Sequence, residues 1–528
     1  MDEKQTGSFY TPVSLVKYMS MHAIGRMNAP SILEPSVGDG RFVDILSKYD
    51  GKIDAVEIDS SKIMDLSKRK LPNVELICNN FIKYSLESEK KYNLIIGNPP
   101  YITKKVLSET ERDLSVQLMK FWSLPDSVFQ NLWVSFVLGA LKLLDVDNGA
   151  IFFVLPFEFL QVHYAEKLRC FLEEKFNLIE ITTFKESVFP DIEQDVCLVY
   201  LTNKKGIEPI VKYTTVNNIE DFNVIEYSEI RRNKPLKKWS NSILSDDEIE
   251  LLKKLSEGYK KVGDLGYISP GIVTGANGFF IINKSRVESL DCKELVIPVI
   301  QKGSNVSNLL FFSESDFKEL VESNKNVWML NLSNVDLASF PTELHNYLST
   351  GVRDELHMRY KCEKRKRWHD VPIIPTGDLL FFKRFNKLPR LVVNSAGVFT
   401  TDISYNIRLS SEYDPLSVAF CFYNSLTMTL CEYNGRFYGG GVGELVPSEF
   451  KSLAIPYKRI HKNSVKKLDR MLRSNLEIEE VLRYVDSVVL NDLSPDVLKQ
   501  IKRIREKYLI RRLKVADNIS HHEGNERQ

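Results

Sequence analysis

Cysteine is scarce: seven residues in 528, an odd number, scattered, with no C-x-x-C pair. That excludes a disulfide framework and a cysteine-rich zinc site, and it fits a reducing, cytoplasmic compartment. The eight histidines form no H-x-x-x-H pattern, so no metal is expected. No apolar run approaches the roughly 18 residues of a membrane span. The longest, around residues 150–160, is interrupted by Pro156 and Glu158. Met1 to Tyr10 is polar and lacks the apolar stretch of a signal peptide. No low-complexity segment or fixed-period repeat is present. Charge of one sign is also missing: 71 Lys plus Arg balance 70 Asp plus Glu, so any nucleic-acid contact must come from local stripes rather than from the total.

What remains is an ordinary globular composition, long enough for about two to four domains. The first part alternates strand and helix. Ser31 to Glu34, Ile53 to Ile58, Val74 to Cys78, Tyr92 to Ile96 and Ala150 to Leu155 read as strands. Arg41 to Tyr49, Asp126 to Leu144 and Lys167 to Phe176 read as helices. Leu178 to Phe184 and Asp195 to Leu201 are β-rich. Such alternation predicts an α/β fold with a parallel, doubly wound sheet covered on both faces. From about Ile230 the character changes to polar turns, short strands and aromatic clusters. Val273 to Asn283 and Leu391 to Leu409 read as β-structure, and Ser464 to Lys514 as helical. The expected division is a first domain over 1–235, a mixed, β-rich second domain with a helical C-terminus over 236–515, and a disordered tail over 516–528.

The segment Leu33-Glu34-Pro35-Ser36-Val37-Gly38-Asp39-Gly40 follows the first strand and opens a helix. Glycines there let the backbone approach a ligand. About 17 residues later the second strand ends in Val56-Glu57-Ile58-Asp59, where an acid suits a ribose. The third strand ends in Asn79-Asn80-Phe81, a polar side chain beside an aromatic one. Three successive strand ends thus offer groups to one crevice. The loop has neither G-K-[ST] nor the full G-x-G-x-x-G, so a P-loop and a dinucleotide fingerprint are absent.

The fourth strand ends in Asn98-Pro99-Pro100-Tyr101. Two prolines remove two N–H donors and leave carbonyl oxygens as the hydrogen-bonding groups. The Asn98 side chain adds another oxygen, and Tyr101 adds an aromatic face. That set suits an amino group as substrate. An adenine N6 amine is a poor nucleophile because its lone pair is delocalised. Two acceptors, Asn98 and Pro99, would hold its hydrogens, orient the lone pair and stabilise the developing positive charge, with no strong base. Tyr101 would stack on an extruded base.

These motifs resemble the gamma-class, Taq-type adenine-N6 DNA methyltransferases of bacterial and archaeal restriction–modification systems. The resemblance covers the whole chain, most strongly to about residue 205. It implies a Rossmann-like methyltransferase sheet using S-adenosyl-L-methionine. Ser8-Phe9-Tyr10-Thr11-Pro12 is similar to the segment that closes over the cofactor's methionine part, which assigns Tyr10, Thr11 and Pro12. Gly38 and Gly40 match the cofactor loop, Glu34 the acid near the methionyl end, and Glu57 the ribose acid. Phe81 and Phe136 match aromatics that sandwich the cofactor's adenine. Asn98, Pro99, Pro100 and Tyr101 match the catalytic motif, and Phe189 a second aromatic against the flipped base. Similar enzymes usually carry Asp where this chain has Asn80, whose side-chain oxygen is expected to accept the cofactor's amine more weakly.

Residues from about 240 resemble the target-recognition region of the same enzymes, at Gly271 to Asn277, Val299 to Gly303, Asn424-Ser425 and Tyr438 to Gly441. Double-stranded DNA is the implied partner. The run Tyr360 to Trp368 offers Lys361, Lys364, Arg365, Arg367 and Trp368 for DNA binding. The basic stretch Lys499 to Arg512 serves equally as an amphipathic helix packed on the domain. A monomer with a separate cognate restriction endonuclease, or none, is expected. The methyltransferase motifs begin almost at Met1, which would leave no room for a nuclease ahead of them. Two other functions stay open: a methyltransferase for glutamine side chains or RNA bases, and a catalytically idle DNA-binding specificity protein.

Overall fold

The computed structural model describes residues 10–27, 30–184, 188–189, 195–216, 228–231 (backbone only), 236–438 and 441–513. They divide into two compact units. One runs to Asp247; the other comprises Glu248–Phe437 and Val442–Leu513.

The first unit is built on nine strands: β1 (Ile32–Glu34), β2 (Ile53–Glu57), β3 (Val74–Cys78), β4 (Leu94–Gly97), β5 (Ala150–Pro156), β6 (Leu178–Phe184), β7 (Val196–Thr202), β8 (Ile210–Val216) and β9 (Ser228–Arg231). Their order in the sheet is β3-β2-β1-β4-β5-β7-β6-β8-β9. The first five are parallel, with Ile32 of β1 opposite both Ile53 and Leu94. β7 departs from the all-parallel expectation: it runs antiparallel between β5 and β6. A strand inserted this way returns without a crossover helix, so no βα alternation marks it.

Seven helices are α1 (Val13–Ile24), α2 (Arg41–Leu46), α3 (Ser60–Ser67), α4 (Phe81–Glu87), α5 (Glu109–Phe121), α6 (Leu132–Leu143) and α7 (Glu166–Lys175). Leu15, Val16, Met19 and Ala23 of α1 bury against Ile32, Leu94, Ile96, Phe152 and Val154, alternate residues of three strands facing one side. The helix expected over Asp126 to Leu144 is shorter. Asp126–Val128 forms a 3₁₀ turn, and Asn131 then caps α6 through its side chain. Eleven of the twelve α6 residues are buried. Within it Gly139 allows a close approach to α4: a Cβ there would lie 2.8 Å from Ser85 Oγ and 3.0 Å from Phe81 Cε1. The conformational cost of a mid-helix glycine, about 1 kcal/mol, is offset by that contact.

The second unit carries a five-stranded sheet in the order Gly266–Pro270, Ser404–Leu409, Leu379–Phe382, Arg390–Asn394, Phe311–Phe312. A four-stranded sheet orders Ile281–Ile282, Trp328–Leu330, Val296–Ile300 and Phe399–Thr400. Helices Lys462–Arg473, Ile478–Val489 and Pro495–Leu513 make up its helical end. The β-structure expected over Val273 to Asn283 is confined to Ile281–Ile282. Upstream, Gly275 sits at φ +80°, and the Thr274 hydroxyl accepts from the Ala276 N–H at 3.1 Å, so the chain turns into the short helix Asn277–Phe280.

His369 is buried in this unit at 7% exposure, with Phe340 at 6.2 Å and Trp368 at 5.6 Å between ring centroids. Neither ring nitrogen has a hydrogen-bond partner among the described residues. Burial holds its pKa below the ordinary value, with Asp370 opposing and Arg367 assisting. The unfolded chain therefore takes up a proton first as pH falls through about 6.5, and the folded state loses stability from there downward. Phenylalanine in this position keeps the ring and removes the proton site. The melting temperature of His369→Phe is expected to gain on the wild type between about pH 7.5 and about pH 5.5. A difference that stays constant across that range would show that the imidazolium is accommodated.

Candidate functional site

The carboxyl ends of β1, β2, β3 and β4 meet on either side of the point where strand order reverses, between β1 and β4. Open α/β sheets form their crevice there because adjacent loops diverge to opposite faces. A cleft of about 810 Å³, open to solvent, lies at this place. Its wall takes residues from each strand end in turn: Ser36 and Gly38 after β1, Glu57 and Ile58 at β2, Asn79, Asn80 and Phe81 after β3, and Asn98 and Pro100 after β4. Tyr10, Lys62, Glu111, Leu132 and Phe136 also line it.

Gly38 has φ +59°, a backbone that L side chains rarely adopt. This turns its N–H onto Glu57 Oε2 at 2.9 Å, while Glu57 Oε1 accepts the Asp59 N–H at 3.0 Å. Each oxygen thus receives one backbone donor and keeps lone-pair capacity for a further one. The carboxylate is 7% exposed at the cleft wall, a geometry suited to paired hydroxyl groups.

Of the ten residues assigned to cofactor binding, Tyr10, Gly38, Glu57, Asn80, Phe81 and Phe136 line the cleft. The other four are not among its lining residues. Thr11 is buried and accepts from Asn98 Nδ2 at 3.1 Å. Pro12 heads α1, its carbonyl accepting from Val16 N–H at 3.0 Å. Gly40, at φ +85°, caps α2, and a Cβ there would meet Leu66 Cδ2 at 2.3 Å and Arg69 Nη1 at 2.7 Å. The left-handed backbone there calls for glycine, and Leu66 of α3 and Arg69 pack close to it. Glu34 is 1% exposed, and its Oε2 has no hydrogen-bond partner among the described residues. Burial drives its carboxyl well above the ordinary range, with the Asp39 and Glu57 charges adding to the effect.

Two expectations change. Phe81 and Phe136 do not form a sandwich. Their centroids are 4.8 Å apart at an interplanar angle of 35°, so the rings touch and no base fits between them. The close α4–α6 contact at Gly139 draws them together, and they present one joint apolar wall. Asn80 does not offer its oxygen to the cleft either. As N-cap of α4, its Oδ1 accepts from Ile82 N–H at 2.9 Å and Lys83 N–H at 3.2 Å. Both lone pairs are thereby engaged.

In the Asn98 to Tyr101 segment, the structure fixes the backbone and the amide together. Ser36 Oγ donates to the Asn98 carbonyl at 3.0 Å, and the Asn98 Nδ2 bond to Thr11 Oγ1 determines which end of the amide is the acceptor. Asn98 and Pro100 line the cleft; Pro99 is buried. The Tyr101 hydroxyl donates to Val154 O of β5 at 3.1 Å, and burial pushes the phenol pKa well above its ordinary value. Tyr101 packs on the apolar cluster that contains Phe189, which is buried at 6% exposure. These two aromatics stand together but outside the cleft lining. Ser187 and Pro190, which flank the Phe189 motif, lie outside the described residues, as do Ser8 and Phe9.

Lys62, Ile58 and Glu111 are cleft residues that the sequence reading missed. Ile58 directly follows the strand acid and is 62% exposed, a position the motif itself indicates. Glu111 is marked only by the capping-box spacing from Ser108, which signals a helix start and not a cleft.

In the second unit the basic run divides. Arg365 donates to the carbonyls of Val273, Thr274 and Trp368. Arg367 forms a two-point pair with Asp370 and donates to Leu332 O and Val335 O. Trp368 packs on Phe279 and Phe280. These three, partly exposed, staple the unit through those contacts. Lys361 and Lys364 remain exposed, each over the Tyr360 ring at 5.6 and 5.7 Å. Asn424 is fully buried as a helix cap and Ser425 bonds to Asp486, so neither faces a ligand. Tyr438 and Gly441 are described, but Gly439 and Gly440 between them lie outside the described residues. The basic stretch after Lys499 forms a packed helix: Arg512 pairs with Glu432, Lys507 with Glu248 and Arg505 with Glu479.

Comparison with known proteins gives the arrangement a family. The chain is 23% identical to the Type II methyltransferase M.AccI of Acinetobacter calcoaceticus over 530 residues, covering 93% of this chain and 94% of that one. It is 31% identical to the Type II methyltransferase M.HincII of Haemophilus influenzae over 230 residues, 43% of this chain and 41% of that protein. Among solved structures, the DrdV–DNA complex matches the fold with a TM-score of 0.50 at 11% identity, over 90% of this chain and 58% of that one. Residues 41–189 match the Eco57I restriction-modification methylase family, and residues 236–490 match the C-terminal domain of the Type II methyltransferase M.Eco57I. Matched in this way in both halves, the chain belongs to the Eco57I type of restriction–modification methylases.

Proposed function

We propose that this chain is an S-adenosyl-L-methionine-dependent DNA methyltransferase that extrudes an adenine from a specific duplex site and methylates its N6 amine. The observation that carries the reading is the placement of Asn98 on the wall of the cleft that Gly38 and Glu57 also line. The asparagine of the Asn-Pro-Pro-Tyr segment and a carboxylate suited to a ribose thus line one crevice.

The residues fit the cofactor. Glu57 holds the ribose hydroxyls, the Phe81–Phe136 wall takes one face of the adenine, and Tyr10 covers the methionine end beside Gly38, 3.6 Å from where a Cβ would stand. The buried Oε2 of Glu34, without a hydrogen-bond partner among the described residues, suits a polar group of the methionine part. The bound cofactor supplies the electrophilic methyl group. The protein's contribution is to hold the amine. Asn98 Oδ1 and Pro99 O accept its two hydrogens, turn its lone pair toward the donor and stabilise the positive charge that develops. Pro99 has no N–H to compete for the same position. Tyr101, which packs on the cluster that contains Phe189, and Phe189 receive the extruded base, the phenol being held by Val154 O.

Double-stranded DNA is the substrate in this reading. The second unit reads the site, and the chain works as a monomer beside a separate cognate nuclease or none. The test is single-molecule sequencing of DNA from a methylation-free host expressing the chain. N6-methyladenine at one repeated motif is the expected result. Purified protein that binds the cofactor yet leaves DNA unmodified would move the reading to glutamine or RNA. DNA binding without cofactor binding would make it an idle specificity protein.

A further inference from the structure

The wall of the cleft beside Phe136 holds a carboxylate whose role the motifs do not supply. Glu111 lies in the first turn of α5, and its Oε2 is engaged locally: it accepts the Ser108 N–H at 3.0 Å and the Ser108 hydroxyl at 2.6 Å, closing a capping box. Its other oxygen, Oε1, makes no hydrogen bond within the helix cap, and the residue lines the same cleft as Asn80, Phe81, Leu132 and Phe136.

Two polar side chains of this cleft lining, Asn80 and Glu111, have fixed and opposite characters. Asn80 has both lone pairs of Oδ1 on the backbone of α4, so it can only donate, through Nδ2. Glu111, ionised, can only accept. Asn79, also on the wall, is an amide that can turn either end to a ligand and so imposes no choice. One donor and one acceptor complement the Watson–Crick edge of adenine, which offers N1 as acceptor and the N6 amine as donor. Hypoxanthine presents the reverse: an N1–H and a 6-oxygen.

From this, and resting on the cofactor reading above, we propose that Glu111 accepts the exocyclic amine of the cofactor's adenine while Asn80 donates to the ring, so that the pair makes the site specific for an adenine nucleoside. A carboxylate on α5 thus takes the role that the Asn80 oxygen cannot fill.

Calorimetric binding of S-adenosylhomocysteine and of its hypoxanthine counterpart, S-inosylhomocysteine, tests the assignment. Glutamine at the third helical position also closes a capping box, so Glu111→Gln is expected to fold with an unchanged melting temperature. Wild type should prefer the adenosyl ligand by about tenfold or more, the scale of one buried hydrogen bond. In Glu111→Gln that preference should largely vanish, because a carboxamide can donate to the 6-oxygen. Asn80→Asp keeps the cap and adds an acceptor. It also removes the Nδ2 donor to the ring, so Asn80→Asp alone should weaken adenosyl binding about tenfold, and unchanged binding would overturn the Asn80 part of the assignment. Wild-type ligand preference retained in Glu111→Gln would overturn the assignment while leaving the cofactor reading intact. Wild type that binds neither ligand would overturn both.

Discussion

Asn98→Ala is expected to lower methyl transfer to duplex DNA by about a thousandfold, close to 4 kcal/mol of lost transition-state stabilisation. The magnitude follows from what the side chain does. A preorganised hydrogen bond to developing charge in a cleft contributes about 3–4 kcal/mol, since the protein dipole is already in place when the charge appears. The amide is oriented before substrate arrives by its Nδ2 bond to Thr11 Oγ1, while Ser36 Oγ holds the Asn98 backbone carbonyl. Binding of S-adenosylhomocysteine should change by less than about threefold, because the lost contacts belong to the reacting amine. Asn98→Asp separates the acceptor role from the Thr11 anchor. It keeps acceptor oxygens but cannot donate to Thr11, and it should retain more activity than the alanine variant. Equal loss in both would assign the effect to the anchor. Near-normal turnover in Asn98→Ala would end the acceptor proposal. The assay is transfer of labelled methyl groups to DNA under single-turnover conditions.

Glu57→Ala should raise the dissociation constant of S-adenosylhomocysteine about a hundredfold. Two hydrogen bonds from hydroxyls to a carboxylate contribute about 1.5–3 kcal/mol each, and part of that is offset by water entering the space. The same carboxylate also holds the Gly38 and Asp59 N–H groups, so the variant will lose some stability without any ligand. Ligand-dependent thermal shift distinguishes the two effects. Saturating ligand stabilises the folded state in proportion to the logarithm of its concentration over the dissociation constant. The variant should start lower and gain much less. A variant that starts lower but gains as much as wild type would make Glu57 a loop clamp only.

Parts of this site are local in the chain. A strand followed by Gly38, an acid ending the next strand, and Asn98-Pro99-Pro100 after the fourth are each written within a few residues, because a strand end and its loop fix one another's geometry. Their convergence follows from the parallel order of the strands, which the βα alternation already implies. The helix α6 was also legible as a segment rich in Leu, Val and Phe, and a helix so uniformly apolar must be buried.

Other parts were not legible, for definite reasons. The staples made by Arg365 and Arg367 were hidden because a run of basic residues carries no sign of which carbonyls lie opposite it. Those carbonyls, of Val273, Thr274, Leu332 and Val335, come from distant segments. Asn80 looked like an acceptor until α4 took both its lone pairs. Phe81 and Phe136 looked like two sides of a sandwich until Gly139 allowed their helices together.

The sequence by itself determined the strand ends, the left-handed turn at Gly38 and the rigid, donor-poor Asn98 segment, because backbone conformation and hydrogen-bonding inventory are properties of consecutive residues. Only the tertiary structure decided which end of each amide faces the cleft, which charges serve as staples, and that a glutamate from helix α5 lines the cleft. Those outcomes depend on partners far away in the chain, and a side chain's free donors and acceptors are defined only once those partners are in place.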